Sequence, residues 1–151
     1  MPDAVTITGT RSTGHQPPEN YRALFERYVR PFGGDARFFV GGASGIDSLC
    51  LRWLASETDA ELVVVVPARL GDQPADARHA VATVQEEGRL AELVELGGEA
   101  RTDGYHARNR WMVDRSGLVI GFPRRGTTNS GTLYTLAYAA DLDIPRLVVP
   151  V

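Results

Sequence analysis

Three glycines fall within five residues at Gly41-Gly42-Ala43-Ser44-Gly45, between the apolar run Phe38-Phe39-Val40 and a segment of helical spacing. Glycines between a strand and a helix let the backbone turn tightly, so the first amides of the helix face whatever sits above the turn. Those amides carry the positive end of the helix dipole, and the matching guest is an anion, most commonly a phosphate. The string is not the dinucleotide fingerprint, and it lacks the Gly-Lys-Ser/Thr ending of a P-loop. Asp47 follows in the first helical turn, where its carboxylate either favours the dipole or accepts a ribose hydroxyl.

Three other strings carry residues of the same chemistry. In Gly9-Thr10-Arg11 the glycine lets the backbone approach a ligand and the guanidinium can fork onto a phosphate. Tyr105-His106-Ala107-Arg108-Asn109-Arg110-Trp111-Met112 places two arginines and an asparagine at an expected helix start, where they are hard to justify as core. Arg108, Met112 and Arg115 follow the i, i+4, i+7 spacing and share a face. Arg108 is expected to point into the site and to matter little for folding, and Trp111 is expected in the core. In Asn129-Ser130-Gly131-Thr132 a serine or asparagine can cap a helix. The Gly131 and Thr132 amides, with the Thr132 hydroxyl, then offer a second anion cradle. Arg124 and Arg125 flank that turn. The candidate ligand-binding set is therefore Gly9, Thr10, Arg11, Gly41, Gly42, Ala43, Ser44, Gly45, Asp47, Arg108, Asn109, Met112, Ser130, Gly131 and Thr132. No catalytic residue is identified. His15, His79 and His106 show no ligand spacing, so no metal site and no cofactor are expected.

The elements that must position these residues alternate throughout the chain. Strands are expected near 4–8, 37–40, 62–66, 91–96, 117–122 and 146–149. Helices are expected near 18–30, 45–56, 74–87, 105–114 and 131–142. Leu62–Val66 is apolar at every position, as a strand covered on both faces should be. Such alternation predicts an α/β fold, a three-layer Rossmann-like doubly wound sheet, mainly parallel, with helices on both faces. Ligands of these folds bind beyond the carboxyl ends of the strands, at the topological switch point. That rule gathers all four strings onto one edge.

A length of 151 residues suits one domain, and the pattern leaves no stretch for a second, so a single domain over 1–151 is expected. No run of 18 apolar residues predicts a membrane helix. The N-terminus lacks the basic and apolar regions of a signal peptide. The single Cys50 fits a reducing cytoplasm, and its helical spacing puts it in the core. All 16 basic residues are arginine, which excludes a lysine nucleophile. The net charge of −3 disfavours a globally basic nucleic-acid binder, although a local arginine cluster could still hold phosphates.

In their order, Gly9-Thr10-Arg11, Gly41-Gly42-Ala43-x-Gly45-Ile46-Asp47, Arg108-Asn109-Arg110 and Ser130-Gly131-Thr132-Leu133-x-Thr135 resemble the SLOG superfamily of nucleotide-binding Rossmann-like proteins. The nearest likeness is to the central domain of the DNA-processing protein A (DprA/Smf) family. The resemblance covers most of the chain. It implies a ligand pocket at those loops and admits a homodimer. DprA proteins bind single-stranded DNA, a partner that the negative net charge does not favour here. His106-x-Arg108-x-x-x-Met112 is also similar to the arginine-bearing helix of the LOG phosphoribohydrolases, which cleave the N-glycosidic bond of nucleoside monophosphates. Thr135 stands where those enzymes carry a glutamate. Glycoside cleavage calls for a carboxylate, and Asp47 or Asp114 would have to replace it. The expectation that follows is a stand-alone domain binding a nucleotide or nucleotide-derived phosphate. Nucleotide N-glycosidase activity and single-strand binding are the alternatives.

Overall fold

The apolar runs and helical spacings build six strands and five helices in strict alternation. The computed structural model describes residues 1–151. The order is β1 (Ala4–Gly9), α1 (Pro18–Tyr28), β2 (Arg37–Gly41), α2 (Ile46–Glu57), β3 (Glu61–Val66), α3 (Ala75–Glu86), β4 (Leu90–Glu95), α4 (Thr102–Val113), β5 (Leu118–Phe122), α5 (Gly131–Asp141) and β6 (Arg146–Val148). All pairings are parallel, in the spatial order β4-β3-β2-β1-β5-β6. The chain thus winds outward from β1 to β4, then returns to the other side of β1. Because parallel crossovers are right-handed, that reversal moves the later helices to the opposite face. The Rossmann-like, doubly wound expectation is met, and the switch point lies between β1 and β5.

Strand residues alternate between the two faces. On one face Val5, Ile7, Phe38, Val40, Leu62 and Val64 pack with Phe25 of α1, with Cys50, Trp53 and Leu54 of α2, and with Val81 of α3. Cys50 is fully buried there, and burial pushes its thiol pKa well up, which leaves it a packing residue. The other face is thinner. Phe39, Val63 and Val65 pack against Met112 of α4, and Val119 packs with Val113, Leu136 and Ala139. Trp111, expected in the core, is only half-buried: it stands edge-on to Phe39, with ring centroids 5.8 Å apart, and carries the Arg115 guanidinium 3.8 Å from its ring centroid.

On that second face the central strands carry small or polar residues. Thr6 of β1 exchanges a hydrogen bond with Ser116, 2.7 Å between the hydroxyl oxygens. Gly121 of β5 lies so close to Leu136 that a Cβ would come within 2.8 Å of it. Thr8 and Gly41 continue this face toward the carboxyl edge. The missing side chains leave a depression at the switch point. No helix is long and apolar enough to cross a membrane.

Helix α4 begins at Thr102, one turn before the start expected at Tyr105. The Asp103-Gly104 pair reads as a turn in sequence, but it lies inside the helix, with Gly104 packed against the Glu99 carbonyl. Arg108 and Asn109 therefore sit mid-helix. This helix offers the site side chains rather than free amides.

One glycine binds the loops at this edge together. Gly45 has φ +79°, and a Cβ there would lie 2.4 Å from the Thr10 carbonyl oxygen. Gly45→Ala is expected to destabilise the fold by at least about 2 kcal/mol, through backbone strain and overpacking together. Gly14, with no atom within 4 Å of a Cβ, is the control, and Gly14→Ala should change stability by no more than about 0.5 kcal/mol. Urea unfolding of the two variants beside the wild type measures both. Equal midpoints would refute the strain at Gly45.

Candidate anion-binding cleft

The depression at the switch point opens as a polar cleft of about 460 Å³. Its walls come from Thr8–Ser12 at the end of β1 and after it, Ala43 and Asp47 at the start of α2, Thr102, Tyr105, His106, Arg108 and Asn109 of α4, Arg124 and Thr127 after β5, and Ser130–Thr132 at the start of α5. Of the residues expected to bind a ligand, Gly9, Thr10, Arg11, Ala43, Asp47, Arg108, Asn109, Ser130, Gly131 and Thr132 line it. Gly41, Gly42, Ser44, Gly45 and Met112 do not.

These five have structural duties. Met112 is 1% exposed and packs beneath α4, because the i, i+4 neighbour of a cleft residue here faces the sheet. Ser44 turns outward and donates to Asp76 at 2.8 Å. A Cβ on Gly42 would sit 2.7 Å from Val66, and the Gly42 carbonyl accepts from buried Gln73 Nε2 at 2.5 Å. Gly45 carries the left-handed turn. Gly41 makes room for two charged side chains, described below.

At the glycine-rich turn the Ile46 amide, first of α2, donates to the Thr10 carbonyl at 3.0 Å, so the loop after β1 occupies that amide. The start of α5 also faces the cleft. Ser130 caps it by accepting from the Leu133 amide at 3.2 Å. No protein acceptor takes the Gly131 and Thr132 amides, which are left at the cleft wall with the positive end of the dipole.

Asp47 and Arg108 reach the cleft from helices on opposite faces of the sheet and meet over Gly41. A Cβ on Gly41 would be 2.6 Å from Arg108 Nη1 and 2.8 Å from Asp47 Oδ2. Asp47 is 7% exposed and Arg108 is 3% exposed. The two do not close a direct ion pair. Arg108 donates instead to Asn109 Oδ1 at 2.7 Å and to the Val65 carbonyl at 3.3 Å. Burial pushes the Asp47 carboxyl pKa up to about 7, against the opposing pull of Arg108, the Ala43 amide and Arg11. Burial also lowers the pKa of Arg108, with Asp47 acting to restore its charge.

The rim adds residues that the sequence reading did not select. Tyr105 lies beneath Arg11, whose guanidinium carbon is 4.3 Å from the ring centroid, and Arg108 approaches the same ring at 5.6 Å. Its position one turn before Arg108 was the available signal. His106 stacks on Tyr134 at 3.8 Å between centroids, and the Tyr134 hydroxyl accepts from Arg110 at 2.6 Å. Arg124, noted in sequence only as a flanking residue, lines the wall. Thr102 and Thr127 carried no signal. Thr135 is fully buried, and its hydroxyl donates to the Gly131 carbonyl at 2.8 Å, so it does not reach the cleft. Asp47 is the one carboxyl that lines the cleft, and Asp114 does not.

No protein-family profile and no curated protein matches the sequence. Solved structures do. The chain has the fold of DNA processing protein A. It superposes on that protein from Helicobacter pylori, reported for its single-stranded DNA binding mode, with a TM-score of 0.70 at 20% identity over 98% of this chain. For DprA from Streptococcus pneumoniae the TM-score is 0.71 at 17% identity, again over 98%. The chain spans 65% and 50% of those two proteins.

Burial makes Arg108 a structural residue as well as a cleft residue, contrary to the expectation that folding would hardly need it. Arg108→Ala is expected to lower stability by about 2–4 kcal/mol, through lost packing of the stem and through an Asp47 left without its cation. The folded-state pKa of Asp47 lies above its unfolded value. The folded protein therefore keeps that proton below about pH 7 and needs the cation only as the carboxyl ionises above it. The difference between wild type and variant should widen as pH rises through about 7. Urea midpoints at about pH 6 and about pH 8.5 check this, and a difference that shrinks with pH would refute it.

Proposed function

We propose that the chain binds single-stranded DNA, with the cleft seating a backbone phosphate between Arg11, Arg108, Arg124 and the α5 amides. One observation carries the anionic half of this reading. Three arginines, none of them in an ion pair, converge with two unpartnered helix amides in a single cleft at the switch point. The polymeric half is supported by the fold, shared over 98% of the chain with a DprA described as a single-stranded DNA binder. An aromatic ring among cations is also the pairing that single-strand sites use for base and phosphate. Arg11 is exposed, and its contact with Tyr105 is worth about 0.5–1 kcal/mol. A charge-assisted bond to phosphate is worth about 1.5–3 kcal/mol. Arg11 therefore exchanges ring for phosphate at a net gain and frees the Tyr105 face for a base. The 151 residues act in this proposal as one binding unit.

A free nucleotide is the second reading, favoured by the depth of the site. The cleft falls in the size range of small-ligand pockets, and Arg108 lies at its floor.

Fluorescence anisotropy with labelled oligo(dT), competed by dTMP and by AMP, separates the two. On the first reading the oligonucleotide binds more tightly than either monomer, and its affinity falls with salt. Arg11→Ala and Arg124→Ala should each weaken it about tenfold, the equivalent of about 1.4 kcal/mol. A monomer that outcompetes the oligonucleotide would move the function to the second reading. Binding by neither would overturn both.

A further inference from the structure

A carboxyl group is an odd wall for a phosphate site, and although Asp47 accepts from the Ala43 amide and faces Arg108, neither contact explains its place in the cleft wall. It lines the cleft and is more than nine-tenths buried. It makes no side-chain hydrogen bond to another side chain and stops short of an ion pair with Arg108, although Gly41 holds both at one point. An ionised carboxylate there would repel an incoming phosphate. A protonated one would present an O–H donor beside the guanidinium, and a phosphate oxygen accepts from both.

Resting on the reading of the cleft as a phosphate site, we propose that Asp47 is a ligand-contacting residue that acts as a neutral acid. It donates its hydrogen bond to a phosphate oxygen, so that an anion enters together with a proton. The proton comes from solvent, remains on Asp47 Oδ in the complex and returns to solvent on release. The surroundings of Asp47 fit this role. Buried Cys50 faces it from its own helix, and its thiol stays protonated. From α4 come Arg108, with Tyr105 beyond it, and from the loop after β1 comes Arg11. Across the cleft stand Arg124 and His106. The cations support the bound anion, and Asp47 is the one acidic side chain near it. Burial already places this carboxyl at the edge of protonation near neutral pH, and a phosphate beside it drives protonation further.

The consequence is an affinity that depends on pH with a defined sign. Oligo(dT) is the probe, because its phosphodiesters keep their charge throughout the range. Its affinity for the wild type should be flat below about pH 7 and fall by up to about tenfold per pH unit above it, as one linked proton requires. Calorimetry at about pH 8 in two buffers of different ionisation enthalpy should show uptake of a proton by the wild type on binding. Asp47→Asn keeps a donor at the same place. It should bind with a flat profile and exceed the wild type at high pH. His106→Gln removes the other cleft group that can take up a proton, and it should keep the wild-type slope.

A flat wild-type profile with no proton uptake would overturn the inference while leaving the phosphate site intact. Equal weakening of Asp47→Asn at every pH would also overturn it, showing a carboxylate that accepts from the ligand. So would a slope that disappears in His106→Gln. Absence of oligo(dT) binding at any pH would defeat the phosphate reading itself, and this inference with it. The wild-type profile and calorimetry decide even where a variant folds poorly.

Discussion

Two buried charges that meet over one glycine organise this molecule. Asp47 arrives on α2 from one face of the sheet and Arg108 on α4 from the other, and Gly41 at the end of β2 is the gap in which they face each other. Burial of a single ion is far more expensive than burial of two of opposite sign, so an ionised Asp47 depends there on Arg108. The pair therefore fixes where both helices sit relative to the sheet edge. It does so without a closed ion pair, so each group keeps capacity for a third partner. A carboxyl poised near neutral pH beside an arginine held by a carbonyl and an amide is a half-finished network. Buried networks of this kind are conformationally exacting when complete.

The remaining loops arrange themselves around that pair. Gly9 packs directly on Ile46, and the Thr10 carbonyl takes the first amide of α2, so the loop after β1 is locked to the start of that helix. This lock occupies the first amide of α2. The start of α5, on the other side of β1, keeps its Gly131 and Thr132 amides free of protein acceptors. Two helix ends thus face the switch point, α5 on the side of Arg124 and α2 on the side of Asp47. The cleft wall runs from a carboxyl through cations to bare amides, so its two ends differ in charge.

The elements were legible because hydrophobic spacing decides them locally. Leu62–Val66 can be little but a covered strand, and the alternation of strand and helix settles the parallel sheet. Ten of the fifteen residues expected at the ligand site reach the cleft, because the doubly wound fold places every loop after a strand on the same edge. The misses have a common cause. Gly42, Gly45 and Ser44 belong to a loop whose glycines serve backbone packing, and sequence alone does not distinguish clearance for a ligand from clearance for Val66 or for Thr10. Met112 shares the face of Arg108 but lies one turn farther from the carboxyl edge, where that face meets Phe39, Val63 and Val65 instead of the cleft. Tyr105 and His106 reach the cleft from the first turns of α4 and Arg124 from the loop after β5, beside residues that the spacing did single out.

Net charge says little about what the cleft itself can hold, and the structure gives the reason. Arg22, Arg30, Arg37 and Arg101 pair with Glu19, Glu26, Glu57, Glu61 and Glu99 on the surface, where such pairs are screened and nearly neutral at a distance. Arg11, Arg108 and Arg124 have no such partner. At physiological ionic strength a charge is felt over only about 8 Å. A ligand in the cleft therefore responds to three cations and one carboxyl that can be neutral, whatever the chain's total of −3. Low-dielectric walls strengthen that local field. On the proposed reading, long-range attraction of a strand is weak for an acidic protein, whereas its attachment once seated is governed by the cleft. Electrostatic control would then lie in the bound state, where the protonation of one buried carboxyl alters it.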